Sequence, residues 1–225
     1  MSEVWSWEAV GFPVMLSLRI ACISGILAFA AAVWIAAWMN RHSFPGKMIL
    51  ETLFMLPLVL PPSVVGLLLL TILGRRSWIG QAAEWLTHQP IVFSITGAVI
   101  ASAVVSFPLV YQTLKTGFAL VDRDVLEASR SQGASELQVL WYMVLPLSWR
   151  SLVTGFVLGF ARALGEFGAT LMVAGNIPGK TQTLPTAIYF AVDAGHMELA
   201  WSLTIITILI SFILLLLTGK IRGTD

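Results

Sequence analysis

Apolar residues run along the chain in five long stretches, at 12–39, 48–73, 91–114, 147–174 and 199–217. Each is long enough for a helix that crosses a bilayer, which takes about 20 residues. The runs are continuous and do not alternate, which excludes a membrane β-barrel. A helix satisfies its own backbone groups, and lipid cannot. The pattern therefore predicts an all-α integral membrane protein, one transmembrane domain over 1–225 with five spans. The longest polar interruption is 120–146, LVDRDVLEASRSQGASELQVLWYMVLP. It carries two helix-start signals, Asp124 with Glu127 and Ser135 with Gln138. Between them Gly133 stands where a helix C-terminus wants a left-handed residue. Leu137, Leu140, Trp141 and Val144 then recur at helical spacing as one apolar face. The segment reads as helix, tight turn and amphipathic helix, stopped near Pro146: a structured knob in the water between two spans.

Composition agrees with a membrane protein. Of 225 residues, 57% are hydrophobic and 11% charged, against about 25% charged in a soluble domain. Mean hydropathy is +0.86. Nine Trp, several near the ends of apolar runs, fit an aromatic belt. The net charge of +1 gives no argument for nucleic acid. The single cysteine, Cys22, has no disulfide or metal partners and is expected to be a small packing residue. The first residues carry Glu3 and Glu8 and no positive charge, so the first run is expected to be a span and not a cleaved signal.

Lys and Arg set the orientation. With the N-terminus outside, Arg41, Lys47, Lys115, Arg123, Arg130, Arg150, Lys220 and Arg222 fall inside, and Arg75, Arg76 and Lys180 outside. Eight against three favours N-out and C-in, with the knob in the cytoplasm.

The knob also carries a resemblance. Glu127-Ala128-Ser129, Gly133, Met143 and Leu145-Pro146, at this spacing, resemble the "EAA" loop of ABC importer permeases. Ser129 and Met143 depart from that pattern, where Ala and Ile are usual. The resemblance implies that this loop docks into a groove on a cytoplasmic ATPase. The alternative is an ordinary amphipathic loop on the membrane surface. Phe160-Ala161-Arg162-Ala163-Leu164-Gly165-Glu166-Phe167-Gly168-Ala169-Thr170 resembles the fourth core span of the molybdate and sulfate branch. Leu164, Phe167, the Phe44-Pro45-Gly46-Lys47 turn, the 56–66 string and Gly175-Asn176-Ile177-Pro178-Gly179 lean to molybdate. The resemblance implies the type I importer permease core in a bacterial cytoplasmic membrane. Its implied partners are a second copy of the chain, two cytoplasmic ATPase subunits and an extracytoplasmic molybdate-binding protein. ATP would be bound by the ATPase, and the permease would need no cofactor.

Particular residues then suggest roles. Pro57, Pro61 and Pro62, followed by Ser63, predict a broken helix inside the second span. A break at that depth lines a pathway or is a kink in a packed bundle. Arg19 in the first span is expected to snorkel outward. Gly155 and Gly159 form a GxxxG packing signal in the fourth span. Arg162 and Glu166, four apart on one face, are expected to pair within the same span. Arg75 and Arg76 fit a basic mouth, a docking surface or a headgroup anchor. Ala174–Thr181 mimics a nucleotide-binding loop but lacks the first Gly and the strand before it. Asn176, Lys180, Thr181, Gln182 and Thr183 are better read as an external docking rim for the binding protein or an oxyanion. No HExxH or GxSxG motif supports catalysis. Tungstate and sulfate remain alternative substrates, and an ion-coupled secondary transporter using Arg162 and Glu166 is the rival from another class.

Overall fold

A computed structural model describes residues 6–222, and among these it holds helices and no strand. Met1–Trp5, with Glu3, and the side chains of Lys220 and Arg222 lie outside the described residues. A π-helical turn, Trp7–Gly11, leads into α1, Phe12–Arg41. Then follow α2 (Lys47–Val59), α3 (Pro62–Leu73), α4 (Trp78–Thr87) and α5 (Ile95–Ala119). The polar interruption holds α6 (Arg123–Ser131) and α7 (Glu136–Leu147). The chain closes with α8 (Trp149–Leu164), α9 (Gly168–Ala174), α10 (Leu184–Asp193) and α11 (Met197–Arg222).

Three helical runs are long and apolar enough to cross a membrane unbroken: Trp7–Arg41, Ile95–Ala119 and Met197–Leu216. Counting each of two bent pairs as one crossing gives five. The first pair is α2 and α3, bent by 112°. Here the expected proline break is present, and its cause is local. Leu60 and Pro61 each precede a proline, which drives a residue out of the helical region. They adopt ψ of 144° and 135°. Pro62 then opens α3, where its missing N–H costs nothing.

Two boundaries differ from expectation. The third stretch, expected over 91–114, forms α5 from Ile95 to Ala119, with Pro108 inside it. Packing against α1 and α8 outweighs one lost backbone bond. The fourth stretch is not continuous. It is interrupted over Gly165–Phe167, and Ser148 separates α7 from α8 at a 79° bend. The outer connection 74–90, expected as a loop, contains α4, which Ser77 caps by accepting from Gly80 N.

The core forms where α1, α5 and α8 meet. Ala32, Ala36 and Met39 of α1 pack on Val110, Tyr111 and Leu114 of α5. Gly155 and Gly159 of α8 face α5, so the small-residue signal marks a helix contact within the chain. Cys22 and Arg19 lie on the exposed side of α1. Cys22 is therefore not a packing residue; the buried side of α1 is taken by Ala21, Ser24, Gly25 and Ala28.

Among the described residues, Arg41, Lys47, Lys115, Arg123 and Arg130 gather at one end of the bundle. Lys47 Nζ donates to Met39 O at 2.5 Å, Asn40 Nδ2 to Lys115 O at 3.0 Å, and Arg41 lies 3.5 Å from Glu136. Arg75, Arg76 and Lys180 border one cleft at the other end.

The glycine contact allows a direct test. A Cβ on Gly155 would lie 3.2 Å from Cδ2 at the far end of the Leu114 side chain. A Cβ on Gly159 would run into Cγ2 of Val110, a β-branched side chain held in one rotamer. Gly159→Ala should therefore cost about 1–3 kcal/mol of stability, and Gly155→Ala clearly less. Thermal unfolding in detergent reads the order, and the reverse order would refute this packing.

Candidate coupling surface and intramembrane ion pair

The 120–146 segment is built as two short helices around a tight turn. Asp122 caps α6, its carboxylate accepting from Asp124 N at 2.9 Å. The sequence signal had favoured Asp124 as the cap; Asp124 instead lies in the first turn, where a carboxylate meets the positive end of the helix. Gly133 has φ +89°. Its N–H bonds to Arg130 O at 2.9 Å, and Ala134 N bonds to Ser129 O at 3.2 Å. This pair of bonds is a Schellman closure, which needs a left-handed residue between them. Ser135 and Gln138 form the expected reciprocal box, and α7 begins there.

Glu136 ties the two helices together. It bonds Arg130 Nε at 3.0 Å and faces Arg41 at the end of α1. Hydrogen bonding from Arg130 holds its carboxyl below the usual carboxylate range. A lowered folded pKa means the tie is present above the ordinary carboxylate value and is lost as pH falls through the lowered one. It is intact at neutral pH.

The expected apolar face of α7 is divided. Leu140 is buried and Val144 partly so, whereas Leu137 and Trp141 are more than half exposed. Val139, which the spacing missed, is the other buried position. A π-helical stretch over Leu140–Val144 adds a residue to the turn and shifts the faces beyond Leu140. Leu145 is half-buried and Pro146 exposed. On α6, Asp124, Glu127 and Ala128 are exposed, and none of its nine residues is buried. The knob thus presents bare Asp124, Glu127, Ala128, Leu137 and Trp141. A cleft of about 470 Å³ separates it from the ends of α1 and α5.

Inside the bundle Arg162 and Glu166 do pair, at 2.7 Å. Glu166 also accepts from Ala169 N at 2.9 Å, so its other oxygen caps α9. Its side chain is 1% exposed, that of Arg162 29%. The two broken helices meet here. A Cβ on Gly168 would lie 2.8 Å from Pro62 Cβ and 3.5 Å from Ser63 N. Pro61, Pro62 and Ser63 are exposed on the free chain, while Pro57 is half-buried within α2.

The external rim is not assembled as expected. Thr181 and Thr183 are buried and spent on the backbone: Thr181 Oγ1 accepts from Ile177 N, and Thr183 caps α10 with Thr186. Asn176 and Gln182 are half-buried, and Lys180 alone of the five is exposed. The turn folds these hydroxyls inward because they replace missing backbone partners. A residue that sequence reasoning passed over is Glu51, which meets Lys115 at 2.7 Å. It is the only acidic residue in the second apolar run, and that was the available signal.

The family model for the inner membrane component of binding-protein-dependent transport systems matches residues 12–222. The chain belongs to this family. A Bacillus subtilis (strain 168) protein provisionally named as a molybdenum transport system permease, YvgM, is 55% identical over 203 residues, covering 90% of this chain and 89% of that one. The molybdenum transport system permease ModB of Escherichia coli (strain K12) is 39% identical over 213 residues, covering 94% and 91%. A chain of a bacterial ABC transporter involved in the import of the acidic polysaccharide alginate shares the fold, with a TM-score of 0.77 at 13% identity, covering 100% of this chain and 83% of that one.

The ion pair predicts unequal effects. Arg162→Ala leaves a fully buried carboxylate unpaired and should cost about 3–5 kcal/mol. Glu166→Gln keeps an acceptor for Ala169 N and leaves Arg162 partly solvated, so it should cost less. The double change should recover much of the Arg162→Ala loss. Membrane abundance and thermal midpoint report this, and a double variant no better than Arg162→Ala would exclude a pairing role.

Proposed function

We propose that this chain is the membrane-spanning subunit of an ATP-driven importer that carries molybdate across a bacterial cytoplasmic membrane. The observation that carries the coupling role is α6, a nine-residue helix none of whose residues is buried within its own chain. A helix this short is marginal in water without tertiary contacts. It is capped, closed by a Schellman turn and tied by Glu136, yet its outer face has no neighbour. That arrangement suits a preformed plug for a groove on an ATPase. The substrate is assigned by similarity over about nine-tenths of the chain to molybdenum permeases.

The assembly follows from the geometry of coupling. One chain offers one knob, and an ATPase pair closing over two nucleotides needs two, so two copies related by a two-fold axis are the economical solution. A molybdate-binding protein delivers the anion at the opposite end. ATP binding and hydrolysis belong to the ATPase; this chain has no catalytic residues and needs no cofactor. Closure of the ATPases moves α6 and α7. The movement passes to α8 through Ser148, whose hydroxyl also holds Gly117 O of α5 at 3.3 Å. The Pro61–Ser63 and Gly165–Phe167 breaks then lie where two rigid bodies can reorient. A secondary transporter is the weaker reading, because Glu166 is committed to a helix cap.

Vesicles reconstituted with the full complex should accumulate molybdate only with ATP and the ATPase. Competing tungstate should inhibit more than sulfate. Uptake without the ATPase would favour the secondary transporter, and stronger inhibition by sulfate would reassign the substrate.

Gly133 separates turn geometry from bulk in the knob. A Cβ there meets nothing within 4 Å, so side-chain size is not the obstacle. Valine resists positive φ and asparagine tolerates it. Gly133→Val should insert normally, lose ATPase co-purification and lose uptake. Gly133→Asn should retain much of both. Equal behaviour of the two variants would refute the turn argument.

A further inference from the structure

The end of the bundle opposite the knob holds three cations, against the usual bias for a non-cytoplasmic face. Arg75 and Arg76 follow α3, and Lys180 lies more than a hundred positions later in the chain. The fold brings all three to the border of a single cleft of about 690 Å³. Arg75 is partly neutralised by Glu84 at 3.4 Å. Among the described residues Arg76 and Lys180 have no acidic partner, and both are exposed. The wall beneath them is apolar, made by Leu70, Val92, Phe93 and Ile177. Phe93 is held at φ +56°, an uncommon conformation for a bulky residue, with its N–H bonded to Val173 O at 2.8 Å.

The cleft border ends at Ser77 and Pro90, which flank α4 in the chain. Trp78, Ala82, Trp85 and Leu86 are exposed on this helix, and both Trp are 79% exposed. Their spacing puts them on one apolar stripe. Gly80, on the other side, packs against the carbonyls that end α3. A short helix that joins two spans, with Trp on its free face and Arg before its first turn, has the makeup of an interfacial helix.

We propose that this cleft binds the headgroup phosphate of an anionic phospholipid in the leaflet opposite the knob. Arg76 and Lys180 take the phosphate, and the acyl chains lie along the apolar wall and the Trp78–Trp85 stripe. A free oxyanion would be served by the cations alone. Cations rimming an apolar wall fit an amphiphile. The site explains why these charges stand on that side: they hold lipid and anchor α4 where α3 leaves the bilayer.

Native mass spectrometry of the full chain in detergent tests this, with phosphatidylglycerol, phosphatidylcholine and sodium molybdate as separate probes. The unaltered chain should retain phosphatidylglycerol about tenfold or more over phosphatidylcholine, since each surface cation contributes roughly fivefold. Arg76→Gln and Lys180→Gln should each lose about fivefold of that preference, and the double change should abolish it. Phosphatidylcholine binding should persist, which reports an intact fold. Arg76→Lys with Lys180→Arg should keep the preference. Preference unchanged in the double Gln variant, or none in the unaltered chain, overturns the site. Displacement of phosphatidylglycerol by millimolar molybdate also overturns it, since it would mark a free-oxyanion site.

Discussion

A helix may be interrupted inside a bilayer only where something replaces its lost backbone bonds, and here a single carboxylate does so. Glu166 stands in the gap between α8 and α9. One oxygen takes the Arg162 guanidinium and the other takes Ala169 N. Burying that charge is costly, and the two bonds offset the cost only together. Gly168, just beyond, lets Pro62 approach, so the second break leans on the first. Ala169 and Val173 of α9 then pack with Val65 and Leu73 of α3. The half of the bundle away from the knob is therefore organised around one satisfied gap.

The other half is organised around an unsatisfied surface. Asp122, Gly133 and Ser135 fix the path of the backbone, and Glu136 clips the two helices to each other and to α1. None of these devices buries α6. Stiffness in the backbone together with a bare face lets a small displacement at the surface be transmitted and not absorbed. Ser148 stands at the 79° bend between α7 and α8.

Much of this was legible in the sequence because local chemistry dictated it. Consecutive pre-proline residues break α2 from α3 whatever surrounds them. Gly133, the Ser135 box and the i, i+4 spacing of Arg162 and Glu166 are likewise local signals. What escaped depended on distant partners. The gap at Gly165–Phe167 carries only one glycine beforehand and exists because Glu166 and Pro62 receive it. The π-helical stretch in α7 has no signature in composition, and it shifts the faces beyond Leu140, where Trp141 is exposed. Thr181 and Thr183 read as a polar rim, yet the turn consumed their hydroxyls. The grouping of Lys180 with Arg76 joins residues that no local window contains.

The bare face of α6 also bears on how such a subunit is kept in the cell. A segment with few buried contacts is among the first to open locally even when its turns are well closed, and an opened segment is accessible to proteases. A partner that covered this face would therefore also shield it from cleavage.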